Sequence, residues 1–212
     1  LTARNLIPLF SWIIQKGKCS FCYQKISIRY PLIEFISASV FLLIYLLVGK
    51  IIDTKLVLML LITTLLIITV ITDLENYLIP DAIQIGLFIL VTFYHLFVGD
   101  GYELWRYFLS GFVFLIFGLA LYYGFFLVTK KHGIGIGDVK FFGIAGFMLG
   151  LEQFPIFMFL SGILGIFFGV IWKRITKEVF FPFAPSLVVS LMMCLLFGNK
   201  INYLNMFLFS NY

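Results

Sequence analysis

The stretch GIGIGDVK, Gly133 to Lys140, sets glycines at 133, 135 and 137 directly before Asp138. A second aspartate, Asp73, ends the apolar run LLIITVITD. A carboxylate after such a run is costly unless it is paired, hydrated or protonated, so function is its default reading. The competing reading is an interfacial aspartate that marks a helix end. Two aspartates brought close share one proton, because like charges about 3 Å apart cannot both ionise. The ionised partner then takes a proton from water as the water attacks a peptide carbonyl, and the protonated partner donates to the carbonyl oxygen. That chemistry is peptide hydrolysis without a covalent intermediate.

Gly133, Gly135 and Gly137 remove side chains at alternate positions, which permits positive φ and close approach of another backbone just before Asp138. A peptide could lie there as an added strand. A plain interhelical turn, with Asp138 as the N-cap of the next helix, is the alternative. The run lacks the GxxxxGK[ST] order of a P-loop and the strand and helix pattern of a dinucleotide site. His95 lies within an apolar run and His132 in the glycine loop, and neither has an evident serine or cysteine partner for a triad. Packing is the reading for His95. Glu34 starts an apolar segment, where it suits a positive helix end, and Glu75 points away from Asp73 if the helix continues.

These residues sit in a chain of 212 residues that is 62% hydrophobic and 12% charged, against about 25% charged in a soluble domain. Its mean hydropathy is +1.10. The composition specifies an all-α, polytopic membrane protein. Apolar runs cover 32–49, 56–73, 81–98, 105–128, 154–172 and 182–197, with a shorter one at 139–151 that fits a short or re-entrant helix. Counting it gives seven membrane segments. With residues 1–31 in the cytoplasm, alternation places 11 of the 15 lysines and arginines inside, as retention of basic residues requires. Asp73 and Asp138 then share the cytoplasmic membrane edge. The organisation is a polar segment over 1–31 followed by a helical membrane domain over 32–212.

The excess of basic residues suits contact with membrane lipids of an anionic leaflet, and scattered charge of this kind excludes nucleic acid as a partner. Cys19 and Cys22 form one CxxC knuckle, which supplies two of the four ligands of a structural zinc site. Two reduced, unligated thiols are the alternative. Cys194, in an apolar run, is a small filler. The chain opens on Leu1, and an N-terminal piece is expected to precede it.

GIGIGDVK and DLENYLIPD together resemble the type IV prepilin peptidases, membrane aspartyl proteases of the GxGD class. NLIPLFSW, GKCSFCYQKISIRYPLIE and PFAP (182–185) follow the same order, so the resemblance spans essentially the whole chain. It implies that Asp73 and Asp138 are the two catalytic aspartates and that Gly135 and Gly137 are the glycines of GxGD. Lys140 falls on the family's lysine, with an electrostatic role or a snorkelling one as alternatives. Pro80 and Asp81 complete an IPD element that shapes the first catalytic loop. The implied activity is cleavage of the positively charged leader of type IV prepilins or pseudopilins, after a glycine and before an apolar helix. It takes place at the cytoplasmic face of the bacterial inner membrane and requires no cofactor. Many members also methylate the new N-terminus with S-adenosylmethionine, through the region that holds the cysteines. The family's other CxxC and first membrane helix are expected before Leu1, so zinc and methylation belong to the full-length protein. A small proton- or cation-coupled transporter using intramembrane carboxylates is the rival reading, and it predicts inverted repeats and broken helices near the midplane.

Overall fold

A computed structural model describes residues 7–48, 51–99, 103–130, 133–177 and 180–209, without the side chains of 199–209. All the named elements are helices, and the chain divides into two compact units, one running through Ile51 and the other beginning at Ile52. It is a polytopic helical membrane protein. Four helices, at Arg29–Val48, Thr54–Asn76, Leu104–Thr129 and Leu151–Thr176, are long and apolar enough to cross a bilayer, and the others are shorter.

The first unit holds α1 (Phe10–Ile14) and α2 (Arg29–Val48). Between them an antiparallel bridge from Lys18 to Lys25 closes the turn that carries Cys19 and Cys22. Gly17, at φ 70°, admits the Trp12 ring above its Cα, and Trp12 Nε1 donates to the Ile26 carbonyl at 3.2 Å. Glu34 does not sit at the positive end of α2. That helix starts five residues earlier, and the Glu34 carboxylate instead accepts the Leu9 amide at 2.7 Å.

The second unit consists of α3 (Thr54–Asn76), α4 (Asp81–Phe97), α5 (Leu104–Thr129), α6 (Ile136–Leu149), α7 (Phe154–Thr176) and α8 (Ala184–Phe209). Asp53 caps α3 by accepting the Leu56 amide at 2.8 Å. Short connections make neighbours of α3 and α4, of α5 and α6, and of α7 and α8, giving three helical hairpins. The helix α6 is only 14 residues long, about 21 Å at 1.5 Å per residue, too short for a free span. It is held on its sides by α4, α5 and α8, and Phe141, Phe142, Ala145 and Phe147 are buried. Small residues allow this closeness: a Cβ on Gly146 would fall 2.4 Å from the Phe114 ring. The polar hydroxyls within the spans, at Thr63, Thr69 and Ser190, return to carbonyls of the preceding turn.

Candidate active site

Asp73 occupies the last turn of α3. Its backbone carbonyl accepts the Tyr77 amide at 2.9 Å, and Tyr77 turns left-handed at φ 53° to end the helix. The side chain is buried, and Oδ2 accepts the amide of Ala184 at 2.8 Å. Ala184 is the first residue of α8. The free amides and positive end of that helix are suited to a negative group.

Asp138 lies in the first turn of α6. Gly135, rather than Asp138, is the N-cap, and the aspartate reaches back from the third helical position so that Oδ2 accepts the Gly135 amide at 3.2 Å. Oδ1 is buried without a hydrogen-bond partner among the described residues. The two aspartates, 65 positions apart on separate hairpins, are near enough for the charge of Asp73 to act on Asp138.

Close approach, rather than positive φ, is what the glycine run supplies. Gly135 has φ −71°. A Cβ on Gly133 would lie 2.4 Å from the Phe125 ring, and one on Gly137 would lie 3.2 Å from Cβ of buried Ile79. Lys131 and His132 fall outside the described residues. Pro80, at φ −62°, stands as N-cap of α4. The next residue, Asp81, pairs through Oδ1 with Lys140 Nζ at 2.6 Å, which gives Lys140 an ionic partner rather than a snorkelling role. Buried Gln84, one turn on, donates from Nε2 to the Gly137 carbonyl at 3.1 Å. The loop before α4 and the start of α6 are therefore joined at three points around Asp138.

Sequence reasoning missed Gln84 and the Ala184 amide. A buried amide side chain one turn after IPD in an apolar helix was the available signal for Gln84. No side chain advertises a backbone amide. His95 lies away from the aspartates, with Nε2 at 2.8 Å from the Phe147 carbonyl and its ring stacked 3.9 Å from that of Tyr107.

Within the first unit, the Cys19 amide donates to the Gln24 carbonyl at 2.9 Å, and the Tyr23 amide to the Cys19 carbonyl at 3.0 Å. The amides of Cys22 and Phe21 point to the Cys19 sulfur and hold its thiol below the usual range. This turn suits a thiolate ligand. Among the described residues no third histidine, cysteine or carboxylate joins the pair, so Cys19 and Cys22 fit half of a zinc site.

A model of the type IV leader peptidase family matches residues 59–170, the interval that contains both aspartates, the IPD loop and the glycine run. The chain belongs to the type IV leader peptidase family. A second model, for the bacterial peptidase A24 N-terminal domain, matches residues 1–48. Among curated proteins, the prepilin leader peptidase/N-methyltransferase of Bacillus subtilis (strain 168) is 32% identical over 95% of this chain and 79% of its own length. The proteins of that name from Aeromonas salmonicida (strain A449) and Aeromonas hydrophila are 30% and 32% identical, over 95% and 98% of this chain and 69% and 72% of theirs. No solved structure matches.

Proposed function

We propose that this leader peptidase family member is a membrane aspartyl endopeptidase that removes the leader of type IV prepilins or pseudopilins, with Asp73 and Asp138 as its catalytic pair. The observation that carries the reading is the convergence of two buried carboxylates from separate hairpins, within the stretch that defines the family. The helix-start amide of Ala184 suits Asp73 to be the carboxylate of the pair, and the unpartnered Oδ1 of Asp138 suits it to carry the shared proton.

Asp73 takes a proton from water as the water oxygen bonds to the scissile carbonyl carbon, and Asp138 gives its proton to the carbonyl oxygen. The neutral diol that results collapses when Asp138 recovers the proton of one hydroxyl and Asp73 protonates the nitrogen. The C–N bond breaks and leaves an acid on the leader and an amine on the mature chain. Gln84 and the Lys140–Asp81 pair hold the α6 start that presents Asp138.

Residues 1–31 are the proposed cytoplasmic segment and 32–212 the membrane protease domain, with the dyad at the cytoplasmic edge of the bacterial inner membrane. The excess of basic residues that alternation places on that side supports this orientation. Membrane lipids surround the domain. Methylation of the new N-terminus with S-adenosylmethionine is assigned to the N-terminal region by likeness to relatives whose name includes N-methyltransferase. Cys19 and Cys22 would supply two thiolates to a structural zinc ion there.

The test is leader cleavage of a prepilin in liposomes by the unaltered chain, Asp73→Asn and Asp138→Asn, each checked for folding. Loss in both variants is expected; cleavage surviving in either removes that aspartate from the mechanism.

A further inference from the structure

Beside the dyad, a groove of about 520 Å³ runs between α4, α5 and α6. Its mouth holds Asp81, Lys140 and Gln84, and its walls are Ile85, Phe88, Phe108, Phe112, Leu115 and Phe147. Ile85, Phe88 and Phe112 are exposed on a membrane-facing surface, so the groove opens sideways toward lipid. The floor is formed at Gly111 and Gly143, where a Cβ on Gly111 would lie 2.9 Å from the Gly143 carbonyl. Its polar end is tied to the catalytic loop, because Gln84 donates to the carbonyl of Gly137, the residue before Asp138.

We propose that this groove receives the first turns of the substrate's apolar helix, the segment that follows the scissile bond. The proposal rests on the prepilin peptidase reading given above. Three observations favour this occupant over an acyl chain. The groove begins within one residue of Asp138 and continues along α6, so a chain cut at the dyad and carried into the bilayer passes through it. Its walls are apolar and aromatic while its mouth is charged, which matches a segment that is polar at the cut and apolar beyond it. Finally, Gln84 Oε1 is buried with no hydrogen-bond partner among the described residues, an uncompensated acceptor that costs stability until a donor arrives. An acyl chain has no donor. A helix does, because the amides of its first turn have no partner within the helix. Gln84 thus serves as a positioning residue that reads the start of the substrate helix with one end of its amide and fixes the Asp138 loop with the other.

The test uses a prepilin with a photoreactive benzoylphenylalanine at the third residue after the scissile bond, or in the leader as control, bound to the full chain in liposomes. Asp138→Asn keeps the substrate whole. The third-residue probe is expected to cross-link to 84–88 of α4 or 108–115 of α5, and the leader probe is not. Ile85→Trp, which fills the groove from its exposed side, should lower that yield and raise KM about tenfold with kcat and melting temperature nearly unchanged. Cross-links from the third-residue probe to lipid alone, to α7 or to α8, or a KM unmoved by Ile85→Trp, overturn the groove. Cleavage by Asp138→Asn would sink the dyad instead, and the position of the cross-link decides the groove in either case.

Discussion

Asp73 Oδ2 and the amide of Ala184 meet at 2.8 Å across 111 positions of chain. A catalytic carboxylate at the end of α3 is thus oriented by the first residue of α8, and the setting of α8 depends on how the loop before it is seated. That loop inserts aromatic rings into gaps on α7: a Cβ on Gly165 would lie 2.6 Å from the Phe183 ring, and one on Gly169 would lie 3.3 Å from that of Phe181. Phe183 immediately precedes the amide that Asp73 accepts.

Gly165→Leu should therefore impair catalysis without touching either aspartate. Displacing Phe183 moves the Ala184 amide, and a hydrogen bond to a charged group contributes about 1.5–3 kcal/mol, equivalent to about a ten- to hundredfold loss in rate. Gly162→Ala, on the same helix with open space around its Cβ, is the control. Cleavage rates are compared at saturating prepilin; equal rates for the two variants would remove the loop from the positioning of Asp73.

The Lys140–Asp81 pair is short, at 2.6 Å, but both side chains are substantially exposed, at 46% and 68%. Exposed pairs contribute about 0–1 kcal/mol to stability, so Lys140→Met should lower the unfolding free energy by less than about 1 kcal/mol. Its effect on cleavage should be larger than its effect on stability, since the pair joins the α4 start to the turn that bears Asp138. Exchanging the charges, Lys140→Asp with Asp81→Lys, should restore part of the rate. A double-mutant cycle on kcat that shows no coupling would reduce the pair to a surface contact.

His95→Ala should have the opposite signature. The ring joins α4 to the far end of α6 through the Phe147 carbonyl and stacks on Tyr107. Polar contacts between membrane helices contribute about 0.6–2 kcal/mol, and the lost ring leaves a cavity besides. The melting temperature should fall while kcat stays within about twofold and the pH profile of cleavage keeps its shape. A pH profile that changes shape would bring His95 into the chemistry.

Much of this architecture is legible in the sequence because charge is scarce. The seven apolar runs correspond to α2 through α8, including the short run at 139–151, which becomes α6. Asp73 and Asp138 stand out because each interrupts or borders such a run. What stays hidden is pairing across long separations. The sequence contains no sign that Ala184 serves Asp73, that Gln84 serves Gly137, or that Lys140 faces Asp81, since each bond depends on how the hairpins pack. The five-residue α1 is likewise unreadable by periodicity, because one turn and a half gives no repeat. The glycines were visible as a pattern, but the pattern does not say whether they serve φ or closeness. Only their neighbours, the Phe125 ring and Ile79, decide it.

The cysteines offer a prediction that is independent of proteolysis. Amides of Cys22 and Phe21 directed at the Cys19 sulfur stabilise its thiolate, and Cys19 lies in the N-terminal unit outside the membrane spans. Because the folded value is depressed, the thiolate fraction of Cys19 at neutral pH exceeds that of an ordinary thiol, and alkylation follows the thiolate. Cys194, by contrast, is buried within α8. In the native protein at pH 7, iodoacetamide should label Cys19 first, with Cys194 modified only after denaturation, as read by peptide mass spectrometry. The rate at Cys19 should rise with pH and level off below the usual thiol range near 8.5. Zinc added before the reagent should slow labelling at both Cys19 and Cys22 if the turn serves as half of a metal site, because a bound thiolate is no longer free to attack. Labelling of Cys19 that is no faster than that of Cys22, and is untouched by zinc, would leave the turn as two ordinary thiols.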